Sequence, residues 1–118
     1  MPRVLIVDDA AFMRMRSRKL LEEHGYQVEE AQDGEDAVKK YVAMSPDAVL
    51  MDITMPVMDG LAALKEIKKR DPQAKVIMCT AVGQQSLVME AIMAGARDYL
   101  LKPFDPDKML ASLKKLVG

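Results

Sequence analysis

The apolar positions of this chain fall into two alternating patterns. Short runs rich in branched residues are separated by longer stretches in which apolar residues recur at helical spacing. This alternation predicts strands and helices taking turns around a parallel sheet, repeated five times. The runs Val4 to Val7, Ala48 to Met51 and Val76 to Cys79 are continuously apolar, as expected of central strands covered on both faces. The stretch Gln27 to Ala31 mixes charged and apolar residues, and Asp98 to Leu101 is short, so both suit sheet edges. That assignment corresponds to the strand order 2-1-3-4-5, a flavodoxin-like doubly wound α/β fold with a five-stranded parallel sheet.

The segments between the runs carry one-sided apolar stripes. These are Ala37, Val38, Tyr41 and Val42 in the second helix, Leu61, Leu64 and Ile67 in the third, and Val88, Ala91 and Ile92 in the fourth. The last helix presents Met109, Leu110, Leu113, Leu116 and Val117, opening with Asp105 as N-cap and Pro106 at its first position. Gly25 and Gly95 mark helix stops, and Asp71-Pro72 closes the third helix. With no linker, low-complexity tract or repeat in view, residues 1–118 are expected to form one domain without an output domain, acting as a monomer.

Composition narrows the classes. Lys and Arg number 17 against 18 Asp and Glu, a formal net charge of -1, so the positive field that non-specific nucleic-acid binding needs is missing. The single cysteine, Cys79, excludes an internal disulfide, and its apolar run predicts a buried, inert thiol. No stretch reaches the length of a membrane span, and the apolar N-terminal run is too short for a secretory signal. A cytoplasmic location is expected.

In an open parallel sheet, ligands collect outside the carboxyl ends of the strands where the strand order reverses. Those ends carry Asp8 and Asp9 after the first strand, Asp52 at the end of the third, Thr80 after the fourth and Lys102 after the fifth. Three neighbouring carboxylates repel one another unless a cation sits among them. An incomplete all-oxygen site suits Mg²⁺, which keeps waters and phosphate oxygens as further ligands. Asp52 can then serve as nucleophile to a phosphoryl group, with Lys102 supplying a point charge and Thr80 a hydroxyl donor. An Asp-Asp pair after a strand is, alone, more often a turn and helix cap. The weight lies in four strand ends each supplying the needed residue type. The Arg14, Arg16, Arg18 and Lys19 cluster reads as a solvated helix face, His24 as a helix-end residue, and Met13, Met15, Met44, Met55 and Met58 as packing.

The strings Arg3 to Arg14, Met51-Asp52-Ile53-Thr54-Met55-Pro56, Met58-Asp59-Gly60 and Lys102-Pro103-Phe104 resemble the receiver domains of two-component signalling across the whole chain. Ala81-Val82-Gly83-Gln84-Gln85 is similar to the chemotaxis branch of that family. The resemblance implies a histidine kinase as donor, Asp52 as phosphoacceptor, and Mg²⁺ held by Asp8, Asp9, Asp52 and the Thr54 backbone carbonyl. It further implies a switch in which Thr80 moves towards the phosphoryl group and Tyr99 turns inward. A flagellar motor switch protein would read the resulting face of the fourth helix, fifth strand and fifth helix, and a phosphatase would reset it. A cis Lys102-Pro103 bond is implied as well. Val82 stands where methionine is commoner in the family, which bears on the lifetime of the phosphorylated form. A phosphorelay receiver passing phosphate to another histidine uses the same residues. A flavin module fits poorly, because Asp8 and Asp9 repel the flavin phosphate. An Asp-nucleophile phosphatase lacks the second Asp, Thr54 standing in its place.

Overall fold

The computed structural model describes residues 1–117. Five strands alternate with five helices: β1 (Arg3–Val7), α1 (Ala11–Glu23), β2 (Gln27–Ala31), α2 (Gly34–Met44), β3 (Ala48–Asp52), α3 (Gly60–Arg70), β4 (Val76–Thr80), α4 (Gln85–Met93), β5 (Asp98–Leu101) and α5 (Pro106–Val117). The sheet is parallel throughout in the order β2-β1-β3-β4-β5. The three continuously apolar runs are its interior strands, and the two mixed ones its edges, as the sequence pattern predicts.

Period-two alternation divides the core between the two faces. Leu5, Val7, Val49, Met51, Val76 and Met78 point to the side covered by α2, α3 and α4, where they meet Tyr41, Leu64, Ile67 and Ala91. Val4, Ile6, Ala48, Leu50, Ile77 and Cys79 point to the other side, against Leu21 of α1 and Met109 and Leu113 of α5. Two predicted stripe members lie elsewhere: Val42 and Ile92 are exposed. Each follows a buried residue of its stripe, Tyr41 or Ala91, and one residue is a 100° rotation about the helix axis.

The punctuation follows the sequence. Gly25 and Gly95 end α1 and α4 with φ of +87° and +107°, a region that favours glycine. Asp71 closes α3, its N–H donating to the Ile67 carbonyl at 2.8 Å. Asp105 caps α5 through Oδ1, which accepts from the Asp107 N–H at 2.9 Å. The expected end of this helix near Gly118 lies outside the described residues. Among the described residues no helix is long and apolar enough to cross a membrane.

Other expectations divide. Cys79 is buried and its thiol is pushed up by burial, then by the neighbouring Asp52 charge. His24 Nδ1 lies 2.9 Å from the Leu20 carbonyl at the end of α1. Met15 is exposed and does not pack in the core. The basic residues of α1 are not simply solvated. Arg14 Nε donates to Glu30 Oε1 at 3.0 Å and Arg18 Nη1 to Glu30 Oε2 at 2.7 Å, pinning the helix to the edge strand.

Candidate functional site

The strand register brings the acidic residues together. β1 and β3 are direct neighbours with Val7 opposite Met51, so the next residues of each, Asp8 and Asp52, emerge side by side at the carboxyl edge. Asp8, Asp9 and Asp52 each offer a carboxylate oxygen, and these atoms lie within 4.8 Å of one another. Asp8 and Asp52 are buried, at 5% and 7% exposure, whereas Asp9 faces solvent. The turn-and-cap role considered for the Asp pair is also present: Asp8 Oδ1 accepts the Ala10 N–H at 2.9 Å, at the start of α1. Arg14 donates to the Asp8 carbonyl, anchoring the same residue from the helix side.

Lys102 reaches in from the end of β5. Its Nζ lies 3.1 Å from Asp8 Oδ2 and 3.2 Å from Asp52 Oδ2, so one ammonium bridges two carboxylates. The Phe104 ring stands 6.0 Å from the same nitrogen, and the Lys102-Pro103 bond is cis. Burial lowers the Lys102 pKa, yet the charges and hydrogen bonds of Asp52 and Asp8 outweigh it and leave the ammonium stabilised. Asp52 moves the other way for a carboxylate. Burial raises its pKa most, the Asp8 and Asp9 charges add to that, and Lys102 only partly offsets them. Lys102 pairs with Asp8 and Asp52, and with Asp9 beside them three carboxylates stand against one ammonium.

That imbalance tests whether a divalent cation fits. The donors are all oxygen, two are buried and one is open to water, and the single Lys102 ammonium leaves the three carboxylates short of positive charge. This is consistent with a metal site of the hard-cation type, in which solvent and a ligand oxygen complete the shell.

The backbone beside Asp52 is tightly built. Gly60 donates its N–H to the Ile53 carbonyl at 2.7 Å, and a Cβ at this position would stand 1.9 Å from the Asp52 carbonyl oxygen. Asp59 then caps α3, its Oδ1 accepting the Ala62 N–H at 2.8 Å. In the intervening loop Val57 has a φ of +69°, an uncommon conformation for a β-branched residue. The sequence strings contain Gly60, but only the coordinates explain why no side chain fits there.

The Thr80 and Thr54 side chains are turned to Gln84, and Tyr99 lies on a neighbouring groove. Thr80 ends β4, one residue past Cys79, which pairs with Asp52. Its side chain is buried, and its hydroxyl faces Gln84 Oε1 at 3.0 Å and the Ala81 carbonyl at 3.2 Å. The Thr54 hydroxyl accepts from Gln84 Nε2 at 2.8 Å. Tyr99 is half exposed and lines a groove of about 410 Å³ with Thr80, Ala81, Val82, Val88, Met89, Ile92 and Leu101. Gln84 stands in the string that is similar to the chemotaxis branch, but its bonds to Thr80 and Thr54 were not read from the sequence, because they depend on the path of the loop.

Comparison with known proteins agrees with this geometry. Residues 4–114 match the family described as response regulator receiver domain. The chain is 57% identical to the chemotaxis protein CheY of Bacillus subtilis, the match covering 98% of each sequence. It is 55% identical to CheY of Thermotoga maritima over 97% of this chain and 96% of that protein. Among solved structures, a chain of the CheX-CheY-BeF3-Mg²⁺ complex from Borrelia burgdorferi superposes with a TM-score of 0.92 at 37% identity, covering 98% of this chain and 89% of that one.

Proposed function

The chain belongs to the response regulator receiver family, and on that premise we propose that Asp52 accepts a phosphoryl group from a histidine kinase with Mg²⁺ held in the acidic cluster. It is a chemotaxis response regulator, a signalling protein rather than a conventional enzyme. The observation that carries the proposal is the meeting of Asp8, Asp9 and Asp52 within 4.8 Å, with Lys102 bonded between Asp8 and Asp52.

In the proposed reaction a carboxylate oxygen of Asp52 attacks the phosphorus of a phosphohistidine. The new O–P bond forms as the P–N bond breaks, and the imidazole leaves with the electron pair. Bound Mg²⁺ would supply positive charge to the phosphoryl oxygens, held by Asp8, Asp9, Asp52 and the Thr54 carbonyl. Lys102 lies beside the reacting oxygen and can follow the phosphoryl group as an ion-pair partner, exchanging a carboxylate contact for a phosphate one. Water attack on the same phosphorus returns Asp52 to its free form. Val82, two residues after Thr80, is exposed, and a residue at this position can screen the acyl phosphate from that water.

The output is read as a shift between two arrangements of the α4, β5 and α5 face. Thr80 turning towards the phosphoryl group vacates space at the rim of the groove that Tyr99 lines, and inward rotation of Tyr99 would fill it. The proposed reader is a flagellar motor switch protein, with a phosphatase resetting the signal, and the proposed setting is the cytoplasm, with the receiver acting as a monomer. The test is affinity for the motor switch component of the same organism, with and without beryllofluoride and Mg²⁺. Binding at least about tenfold tighter in the beryllofluoride form is expected. Equal binding in both forms, together with transfer of phosphate from Asp52 to the histidine of a phosphotransfer protein, would identify a relay component instead.

A further inference from the structure

Gln84 holds the donor that the phosphorylation cycle requires. Its Oε1 accepts from the Thr80 hydroxyl at 3.0 Å and from the Ala81 N–H at 2.7 Å. Its Nε2 donates to the Thr54 hydroxyl at 2.8 Å. One carboxamide therefore ties the loop after β3 to the end of β4. Gly83, at φ +93°, provides the turn that lets the side chain fold back over its own loop.

The hydrogen-bond inventory makes this contact competitive. A threonine hydroxyl has one proton, which here faces Gln84 Oε1 at 3.0 Å and, less closely, the Ala81 carbonyl at 3.2 Å, so Thr80 cannot donate to Gln84 and to a phosphoryl oxygen at once. The Ala81 N–H is committed in the same way. Both donors converge on one amide oxygen, and both sit at the strand end adjacent to Asp52, since Cys79 pairs with Asp52 and Thr80 and Ala81 follow it. An oxygen accepting from these two groups has the chemistry that one phosphoryl oxygen would need.

We propose that Gln84 is a positioning residue whose side-chain oxygen stands in for a phosphoryl oxygen in the unphosphorylated protein, occupying the Thr80 and Ala81 donors until a phosphoryl group displaces it. The inference rests on Asp52 being the phosphoacceptor. A charged phosphoryl oxygen is the stronger acceptor, so the exchange proceeds. The carboxamide sets how much of that gain is spent releasing the donors, and so sets the threshold for switching. Its tether to Thr54 makes the two loops release together.

The experiment is calorimetric titration of the full chain with beryllofluoride in saturating Mg²⁺. Gln84→Met, which keeps the length of the side chain without its polar atoms, is expected to bind roughly tenfold more tightly than wild type, as is Gln84→Leu. In a Thr80→Ala background, where one of the two donors is already gone, the gain from Gln84→Met is expected to shrink. Wild-type binding with variants that bind equally or more weakly overturns the proposal and leaves the phosphoacceptor reading standing. A gain that persists undiminished with Thr80→Ala overturns it too, because a general loosening of the loop would behave that way. Failure of wild type to bind beryllofluoride at all sinks the phosphoacceptor reading and this inference with it.

Discussion

Asp52 is a carboxylate placed where it is uncomfortable as an anion. Burial and the Asp8 and Asp9 charges raise its pKa despite the ammonium of Lys102. A carboxyl whose folded value lies above its unfolded one favours the folded state at acid pH. That contribution is present below the ordinary aspartate range and disappears as pH rises through the raised folded value. Replacing the group by a neutral isostere removes the penalty that remains at neutral pH. Asp52→Asn in the absence of divalent cations is thus expected to melt a few degrees above wild type at about pH 7, the gap closing towards about pH 4. Thermal unfolding across that range checks it, and a variant less stable than wild type at neutral pH contradicts the electrostatic account. The residue types at this site were legible because each stands at the end of an apolar run. The direction of the Thr80 hydroxyl was not, since it depends on the path of the loop carrying Gln84, which no periodicity encodes.

At the scale of elements, the strands were the easiest part to read and the helix faces the hardest. Val4 to Val7, Ala48 to Met51 and Val76 to Cys79 have only one way to bury themselves, in the middle of a sheet. Val42 and Ile92 were misplaced because an apolar residue next to a stripe looks like part of it. Ile92 instead borders the groove beside Tyr99 and Leu101. Likewise Arg14 and Arg18 read as solvent-facing until the edge strand placed Glu30 between them. The junction of β3 and α3 shows the tightest coupling of fold to site. A methyl group on residue 60 would meet the Asp52 carbonyl at 1.9 Å, so either α3 or β3 must shift. Gly60→Ala is expected to lower stability by about 2–3 kcal/mol in urea unfolding and to depress phosphorylation of the folded fraction. Unchanged stability would show that the junction is looser than these distances indicate.

Over the whole molecule, the division of labour follows the sheet. Its two faces are sealed by separate apolar clusters, one under α2, α3 and α4 and one under α1 and α5. The polar chemistry is confined to one edge. Phosphorylation can act at a distance only through elements that both touch that edge and have two arrangements available. The end of β4 qualifies, because Thr80 is at once next to Asp52 in the sheet and on the rim of the groove that Tyr99 lines. The proposed state of this edge is a single, cation-dependent phosphoacceptor at Asp52, and intact-mass spectrometry after incubation with acetyl phosphate decides it. One phosphoryl adduct is expected on wild type in the presence of Mg²⁺, none when the cation is chelated, and none on Asp52→Asn. Equal labelling of Asp52→Asn, or labelling of wild type that is indifferent to Mg²⁺, would contradict it.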